Sequence, residues 1–125
     1  MLYLQLAMED WKFDFEWLRI RHLVKEQFNK KELPDTNAML FLVGIRVLGQ
    51  LKRQFTKEEK QDLMHIAVCE LLSNEGYYRF LGMDQDGWPH YEMIRPVKIS
   101  GVENQERLLQ EKLIEYFKAI YDEEE

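Results

Sequence analysis

The chain has 125 residues, of which 46% are hydrophobic and 32% are charged, and its formal net charge is −6. This length and apolar content fit one globular domain with one core and exclude global disorder. The negative charge argues against nucleic acid or an anionic membrane as the main partner, because both require a concentrated positive field. A single cysteine, Cys69, excludes an intrachain disulfide and indicates a reducing, cytoplasmic compartment.

The N-terminal third divides into two predicted segments. Residues 1–8 are apolar but too short for a signal peptide, so we predict a loosely attached leader, with translation starting at Met1 or at Met8. From residue 9 to residue 31, apolar positions recur every three or four residues, which predicts an amphipathic helix. Its basic positions between residues 19 and 31 allow a nucleic-acid contact as a weaker alternative, since a solvated helix face also explains them.

A nearly all-apolar segment, residues 38–51, predicts the helix around which the domain is built. A helix that is apolar on every side must be buried, and a run of this length is too short to cross a membrane. We predict this central helix over residues 36–54. Gly44 and Gly49 each destabilise a helix by about 1 kcal/mol relative to alanine, which predicts that a neighbouring backbone comes close to them.

Helix-capping signals mark where the helices after the first one begin. A side chain that accepts a hydrogen bond from a free amide stabilises a helix start, and a Ser/Thr followed three residues later by Glu forms a reciprocal capping box. The third helix is predicted to end near residue 74 or 76, where residues able to adopt the left-handed conformation occur. The predicted caps are Asp35, Thr56 with Glu59, and Ser100 with Glu103.

Residues 77–94 predict a β-hairpin, because aromatic and branched residues flank an Asp-Gly turn. The preferred register pairs Asp84 with Trp88 and Leu81 with Tyr91, since it separates apolar residues best. A two-residue turn would shift the pairing by one residue. In the preferred register, one face carries Leu81, Met83, Tyr91 and Met93, and the other carries Tyr78, Phe80, Trp88, His90, Glu92 and Ile94.

Together these elements predict a mainly α (α+β) fold. Four helices form a bundle-like domain around the buried central helix, with one β-hairpin inserted between helices 3 and 4. The domain is predicted to occupy residues 9–121, between the leader at 1–8 and an acidic tail at 122–125. That tail should fray, because negative charge is unfavourable at a helix C-terminus.

No set of residues predicts catalysis, a metal or a cofactor. Residues 84–87 begin like a calcium loop, but the later ligand positions are missing and a turn explains all four. His65 and Cys69 lie one helical turn apart, with Asp62 before them, yet a reactive thiol also needs an oxyanion site that the sequence does not supply. We therefore predict no metal and no cofactor, and lean against an enzyme.

Two features remain as candidate binding sites. Arg46 lies in an apolar helix, which predicts an internal ion pair, a side chain reaching the surface, or an anchor for an anionic ligand. The aromatic hairpin face predicts an interface, because exposed Trp and Tyr dominate binding hot spots. Coverage of both hairpin faces by helices of the same chain is the alternative. The predicted interaction residues are Tyr78, Phe80, Trp88, His90 and Ile94.

These features lead to two hypotheses for function. The preferred one is a non-catalytic protein-interaction or scaffold module that acts through the hairpin face on another protein or as a homodimer. The alternative is a small-molecule-binding protein or enzyme with a pocket between the central helix and the hairpin, near Arg46.

Overall fold

The computed structural model describes residues 2–50 and 54–123, with side chains for 10–50 and 54–122. It confirms a mainly helical chain with one antiparallel hairpin between the third and fourth helices. Over these residues, no helix is both long enough and apolar enough to cross a membrane. The elements in order are α1 (Leu2–Gln27), α2 (Thr36–Leu48), α3 (Lys57–Ser73), β1 (Tyr78–Met83), β2 (Pro89–Met93) and α4 (Val102–Glu123).

Helix α1 covers both N-terminal segments distinguished in the sequence. The backbone of residues 2–8 is helical and continues into the helix predicted from residue 9. The helix ends at Gln27, and Asn29 adopts a left-handed conformation with φ 52°. The division into leader, domain and tail stays a prediction, because residue 1, residues 124–125 and the side chains of 2–9 and 123 lie outside the described parts.

Side-chain caps begin α2 and α3 as predicted. The Asp35 carboxylate accepts a hydrogen bond from the Ala38 N–H at 2.8 Å. The Thr56 hydroxyl accepts from the Glu59 N–H at 3.1 Å, and the Glu59 carboxylate accepts from the Thr56 N–H at 2.9 Å. These bonds satisfy amides that have no partner within the helix.

Helix α4 begins without the predicted capping box. The side chain that closes its first turn is the amide of Asn104, which donates to the Ser100 carbonyl at 3.0 Å. The chain enters the helix through Gly101, whose φ of 92° favours glycine. The prediction of a Ser100–Glu103 box is therefore wrong, because the turn at Gly101 places Ser100 outside the cap position.

Helix α2 ends at Leu48, earlier than predicted. Gly49 closes it in the left-handed conformation with φ 70°, and its N–H donates to the Ile45 carbonyl at 3.0 Å. The remaining predicted helix positions include residues 51–53, which lie outside the described parts. Among the described residues, no atom of another part of the chain lies within 4 Å of a Cβ built on Gly49, so these residues do not make the close approach predicted there.

The prediction that a neighbouring backbone comes close is confirmed at Gly44. A Cβ built on Gly44 would lie 2.7 Å from the carbonyl carbon of Leu63 on α3, closer than real Cβ contacts. The missing side chain therefore lets the backbones of α2 and α3 touch.

Two clusters of buried side chains form the core, and α2 contributes to both. The second cluster lies beside the hairpin and consists of Leu48, Leu63 and Ile66, with Trp88 and Tyr91 packed against it. The bundle arrangement of the helices stays a prediction. The first cluster joins all four helices through Ile20, Val24, Met39, Leu40, Val43, Ala67, Leu71, Leu113, Ile114 and Phe117.

The hairpin has the predicted register near its turn. The Asp84 N–H donates to the Trp88 carbonyl at 2.8 Å. The Asp84 carboxylate also accepts from the N–H groups of Asp86 at 2.9 Å and Trp88 at 3.0 Å. These bonds fold residues 84–88 into a tight loop.

Further from the turn, the predicted pairing is wrong. Phe80 lies opposite Tyr91, whereas Leu81 was expected there, and the register changes between Phe80 and Gly82. Leu81 is therefore the extra residue of a β-bulge. Because a shift of one residue moves side chains to the opposite face, Tyr78 and Phe80 lie on the face of Tyr91, and the predicted division of the faces is also wrong.

The contact at Gly44 predicts a substitution effect of unusual sign. Helix propensity alone would make Gly44→Ala stabilising by about 1 kcal/mol. We expect it instead to lower the free energy of unfolding by about 1–3 kcal/mol, because the new methyl group must push α2 away from α3. Urea denaturation of both proteins would measure the change.

Gly49→Asn is the matched control. Asparagine tolerates the left-handed conformation and the site is open, so we expect a change below about 1 kcal/mol. A Gly44→Ala variant as stable as the wild type would contradict the close contact between the helices.

Candidate functional site

The structure separates the predicted interaction residues. Tyr78 and Phe80 lie on the face of the hairpin that meets α3, whereas His90 and Ile94 belong to the opposite face. Trp88 is half-buried against the second core cluster. These residues therefore do not form one surface, and their role in binding stays a prediction.

A different set of apolar side chains is exposed on the hairpin. These side chains come from both strands and from the residue that follows β2, and each keeps between 48% and 57% of its surface accessible. We call them the exposed hairpin residues: Phe80, Leu81, Met83, Met93 and Ile94.

The face of the hairpin that points away from Tyr91 carries ion pairs. Arg79 contacts Glu92 at 2.5 Å, and His90 contacts Asp84 at 2.8 Å. Hydrogen bonds from His90 and from the turn amides lower the pKa of Asp84. Asp84 therefore holds the turn together, and these contacts account for its role without a calcium ion.

Tyr91 attaches the hairpin to α3. Its hydroxyl donates to the Glu70 carboxylate at 2.5 Å, and its ring lies 5.4 Å from that of Phe80. Burial, followed by the hydrogen bond to Glu70 and its charge, raises the pKa of Tyr91 well above its ordinary value. The hydroxyl is therefore a permanent donor at neutral pH.

Arg46 lies at the surface near the C-terminal end of α2, where positive charge suits the helix dipole. Its guanidinium carbon lies 5.5 Å from the centre of the Tyr116 ring, a cation–π contact. Within residues 10–50 and 54–122, no carboxylate forms an ion pair with it. Arg46 is thus one of the breaks in the apolar surface of α2, and its side chain reaches the surface, which is one of the predicted arrangements. Its role as an anchor for an anionic ligand stays a prediction.

A cleft of about 730 Å³ opens between Arg46 and the hairpin. Arg79 in this lining pairs with Glu92. Glu70 keeps its negative charge while it accepts the hydrogen bond from Tyr91. Arg46 forms no ion pair with a described carboxylate and contacts the Tyr116 ring. We call this the Arg46 cleft. Its polar and aromatic lining includes Arg46, Glu70, Tyr78, Arg79, Tyr91 and Tyr116.

Two members of this cleft were missed in the sequence. Glu70 follows Ile66 and Ala67 on the inner stripe of α3, and a charged residue within such a stripe indicates a buried partner. Tyr116 lies on α4, and the sequence gives no sign of its proximity to Arg46. Its pKa is raised by burial, with Arg46 acting in the opposite direction.

The His65–Cys69 pair is brought together, but it does not form a nucleophile. The His65 Nε2 lies 3.6 Å from the Cys69 Sγ. Cys69 is only 2% exposed, and burial raises its pKa to about 11, so the thiol stays protonated at neutral pH. Among the described side chains, no group of three or more His, Cys, Asp or Glu residues is placed to hold a metal ion.

The Tyr91–Glu70 bond predicts a stability change that depends on pH. At pH 7, Tyr91→Phe should lower the free energy of unfolding by about 1–3 kcal/mol, because a hydrogen bond to a carboxylate is lost. The folded-state pKa of Tyr91 lies above the ordinary value of 10.0, so the unfolded chain releases this proton first. The bond therefore contributes fully to the free energy of unfolding below about pH 10, the pKa in the unfolded chain, and this contribution is lost as the pH rises further. The free energy of unfolding should fall more steeply at alkaline pH in the wild type than in Tyr91→Phe.

Urea denaturation between about pH 7 and pH 11 would measure both effects. Tyr77→Phe is the control, since no described residue accepts a hydrogen bond from the Tyr77 hydroxyl. Its ring lies under Arg95, a contact that phenylalanine preserves. Equal alkaline slopes for the wild type and Tyr91→Phe would contradict the role of this bond.

Comparison with known proteins assigns no family. No protein-family model matches the chain, and no curated protein and no solved structure is significantly similar to it. The function is therefore argued from the exposed hairpin residues and the Arg46 cleft.

Proposed function

We propose that the protein is a non-catalytic protein-interaction module that binds its partner through the exposed hairpin residues. The observation that carries this proposal is their concentration: five large apolar side chains, each about half exposed, lie on one short element. Phe80, Met83 and Met93 share the face of Tyr91, whereas Ile94 belongs to the opposite face. Exposed apolar side chains grouped on one element of a folded domain are typical of interfaces. The partner would be a protein segment that presents apolar side chains of its own.

The geometry of the sheet supports an extended partner segment. The two strands form a two-stranded sheet, so each has an outer edge that no other strand of the described chain pairs with. Extended peptides bind such edges by adding a strand. The bulge at Leu81 interrupts the regular pairing of β1, which favours the edge of β2.

Selection of peptides from a displayed random library would test this proposal. We expect enrichment of extended sequences with apolar residues at alternate positions, because every second side chain of an added strand faces the same side. Leu81→Ser and Met93→Ser should each weaken an enriched peptide about tenfold, as expected when an interface anchor is truncated. Titration calorimetry would measure the affinities.

Val102→Ser is the matched control, because Val102 is 80% exposed but lies at the start of α4 and does not belong to the hairpin. Its affinity should equal that of the wild type. If no peptide is enriched, or if the enriched peptides tolerate both hairpin substitutions, the proposal fails.

A second candidate function is supported by the Arg46 cleft. Its volume of about 730 Å³ falls within the range of small-ligand sites. Arg46 supplies a planar cation for a carboxylate, and three tyrosines supply rings and hydroxyl groups. The ligand class that fits this combination is a small aromatic carboxylic acid.

NMR titration with benzoate, phenylacetate and acetate would test this candidate. We expect the two aromatic acids to shift resonances of the cleft more strongly than acetate does. Arg46→Ala should lower the affinity for both aromatic acids about tenfold. Arg95→Ala is the control, because Arg95 also stacks on a tyrosine, with 4.0 Å between its guanidinium carbon and the ring centre of Tyr77, but lies outside the cleft. Binding that is unchanged in Arg46→Ala, or no binding, would refute the candidate.

A further inference from the structure

The Arg46 cleft contains charges of both signs that do not neutralise each other by contact. Arg46 lines it from α2 and Glu70 lines it from α3, and the two side chains form no ion pair with each other. The further charge in the lining, on Arg79, is paired with Glu92. A ligand in the cleft therefore meets one cation and one anion that are separate from each other.

The carboxylate of Glu70 has an oxygen available for a ligand. The Tyr91 hydroxyl donates to Oε2, whereas Oε1 accepts no hydrogen bond from a described residue. Among the described side chains, no buried nitrogen or oxygen lacks a hydrogen-bond partner, so Oε1 is accessible to solvent. Because each carboxylate oxygen has two lone pairs, the bond to Tyr91 leaves room for a second donor.

Tyr116 experiences the charges of both Arg46 and Glu70. Burial raises its pKa, the Arg46 charge opposes this rise, and the Glu70 charge adds to it. The guanidinium carbon of Arg46 lies 5.5 Å from the centre of the Tyr116 ring, so this contact holds the cation at the cleft. Both charges are thus close to one tyrosine of the same lining.

The same cleft also offers apolar and aromatic surface. Phe80 and Met83 line it, and each keeps about half of its surface accessible. The Phe80 ring lies 5.4 Å from the Tyr91 ring, which also belongs to the lining. A ligand that carries an aromatic ring would cover these side chains through ring–ring and sulfur–ring contacts.

We propose that the ligand of the Arg46 cleft is a free aromatic α-amino acid, whose carboxylate binds Arg46 and whose ammonium group binds Glu70. This inference rests on the second candidate function and specifies its ligand. An aromatic acid without an ammonium group would bring a negative charge beside Glu70, and an aromatic amine would bring a positive charge beside Arg46. Both arrangements are unfavourable because like charges repel, whereas a zwitterion gives each charge an opposite partner.

NMR titration of the full chain with L-phenylalanine and two analogues would test the proposal. Phenylpropionate has the same ring and carboxylate but lacks the ammonium group, and phenylethylamine lacks the carboxylate. At pH 7 we expect phenylalanine to bind about tenfold more tightly than either analogue, because each analogue loses one charge-assisted contact.

Glu70→Gln isolates the contribution of the ammonium group. The amide oxygen of glutamine can still accept the hydrogen bond from Tyr91, but the negative charge is lost. The affinity for phenylalanine should fall about tenfold, whereas the affinity for phenylpropionate should not fall. Arg46→Ala should weaken both acids, and circular dichroism would confirm that each variant keeps its helices.

Glu58→Gln is the matched control, because it makes the same chemical change at an exposed position of α3 outside the cleft lining. It should leave both affinities unchanged. The proposal is overturned if either analogue binds as tightly as phenylalanine, or if Glu70→Gln or Arg46→Ala leaves phenylalanine binding unchanged.

The analogues also separate this inference from the function on which it rests. If phenylpropionate binds as tightly as phenylalanine and Arg46→Ala weakens both, the cleft binds aromatic acids but does not select amino acids. If neither phenylalanine nor any aromatic acid binds, the second candidate function fails together with this inference.

Discussion

The contact between the backbones of α2 and α3 at Gly44 determines much of the remaining structure. Because Gly44 has no side chain, the carbonyl group of Leu63 comes closer than any larger residue would allow. This contact fixes α2 against α3, and α2 contributes buried side chains to both core clusters. Arg46, two residues further on, is consequently held at the mouth of the cleft beside the hairpin.

The helices could be predicted largely from local chemistry. The caps at Asp35 and Thr56 depend on residues within one turn, so the sequence alone contains the whole interaction. To predict where α2 ends, one must distinguish two structural roles of glycine. Gly44 permits a close contact within the helix, whereas Gly49 terminates it through a left-handed conformation. The spacing of apolar residues does not distinguish these uses.

The candidate site could be predicted less well, because it depends on contacts between distant elements. Arg46 and the hairpin were recognised from their residue types, but Glu70 and Tyr116 acquire their roles only when α3 and α4 meet the hairpin. The bulge at Leu81 had the largest effect on the assignment of faces. A single extra residue in β1 exchanged the sides of Tyr78 and Phe80, and nothing in the alternation of apolar residues specifies where such a residue lies.

The burial of Cys69 gives the chain an internal probe of its own dynamics. The only thiol of the chain lies on the inner side of α3, and burial keeps it protonated at neutral pH. A thiol reagent can therefore reach it only during transient opening of the core around α3. The labelling rate, when reclosing is faster than the reaction, reports the free energy of that local opening. Transient opening of the core can thus be measured at the Cys69 sulfur without introducing another cysteine.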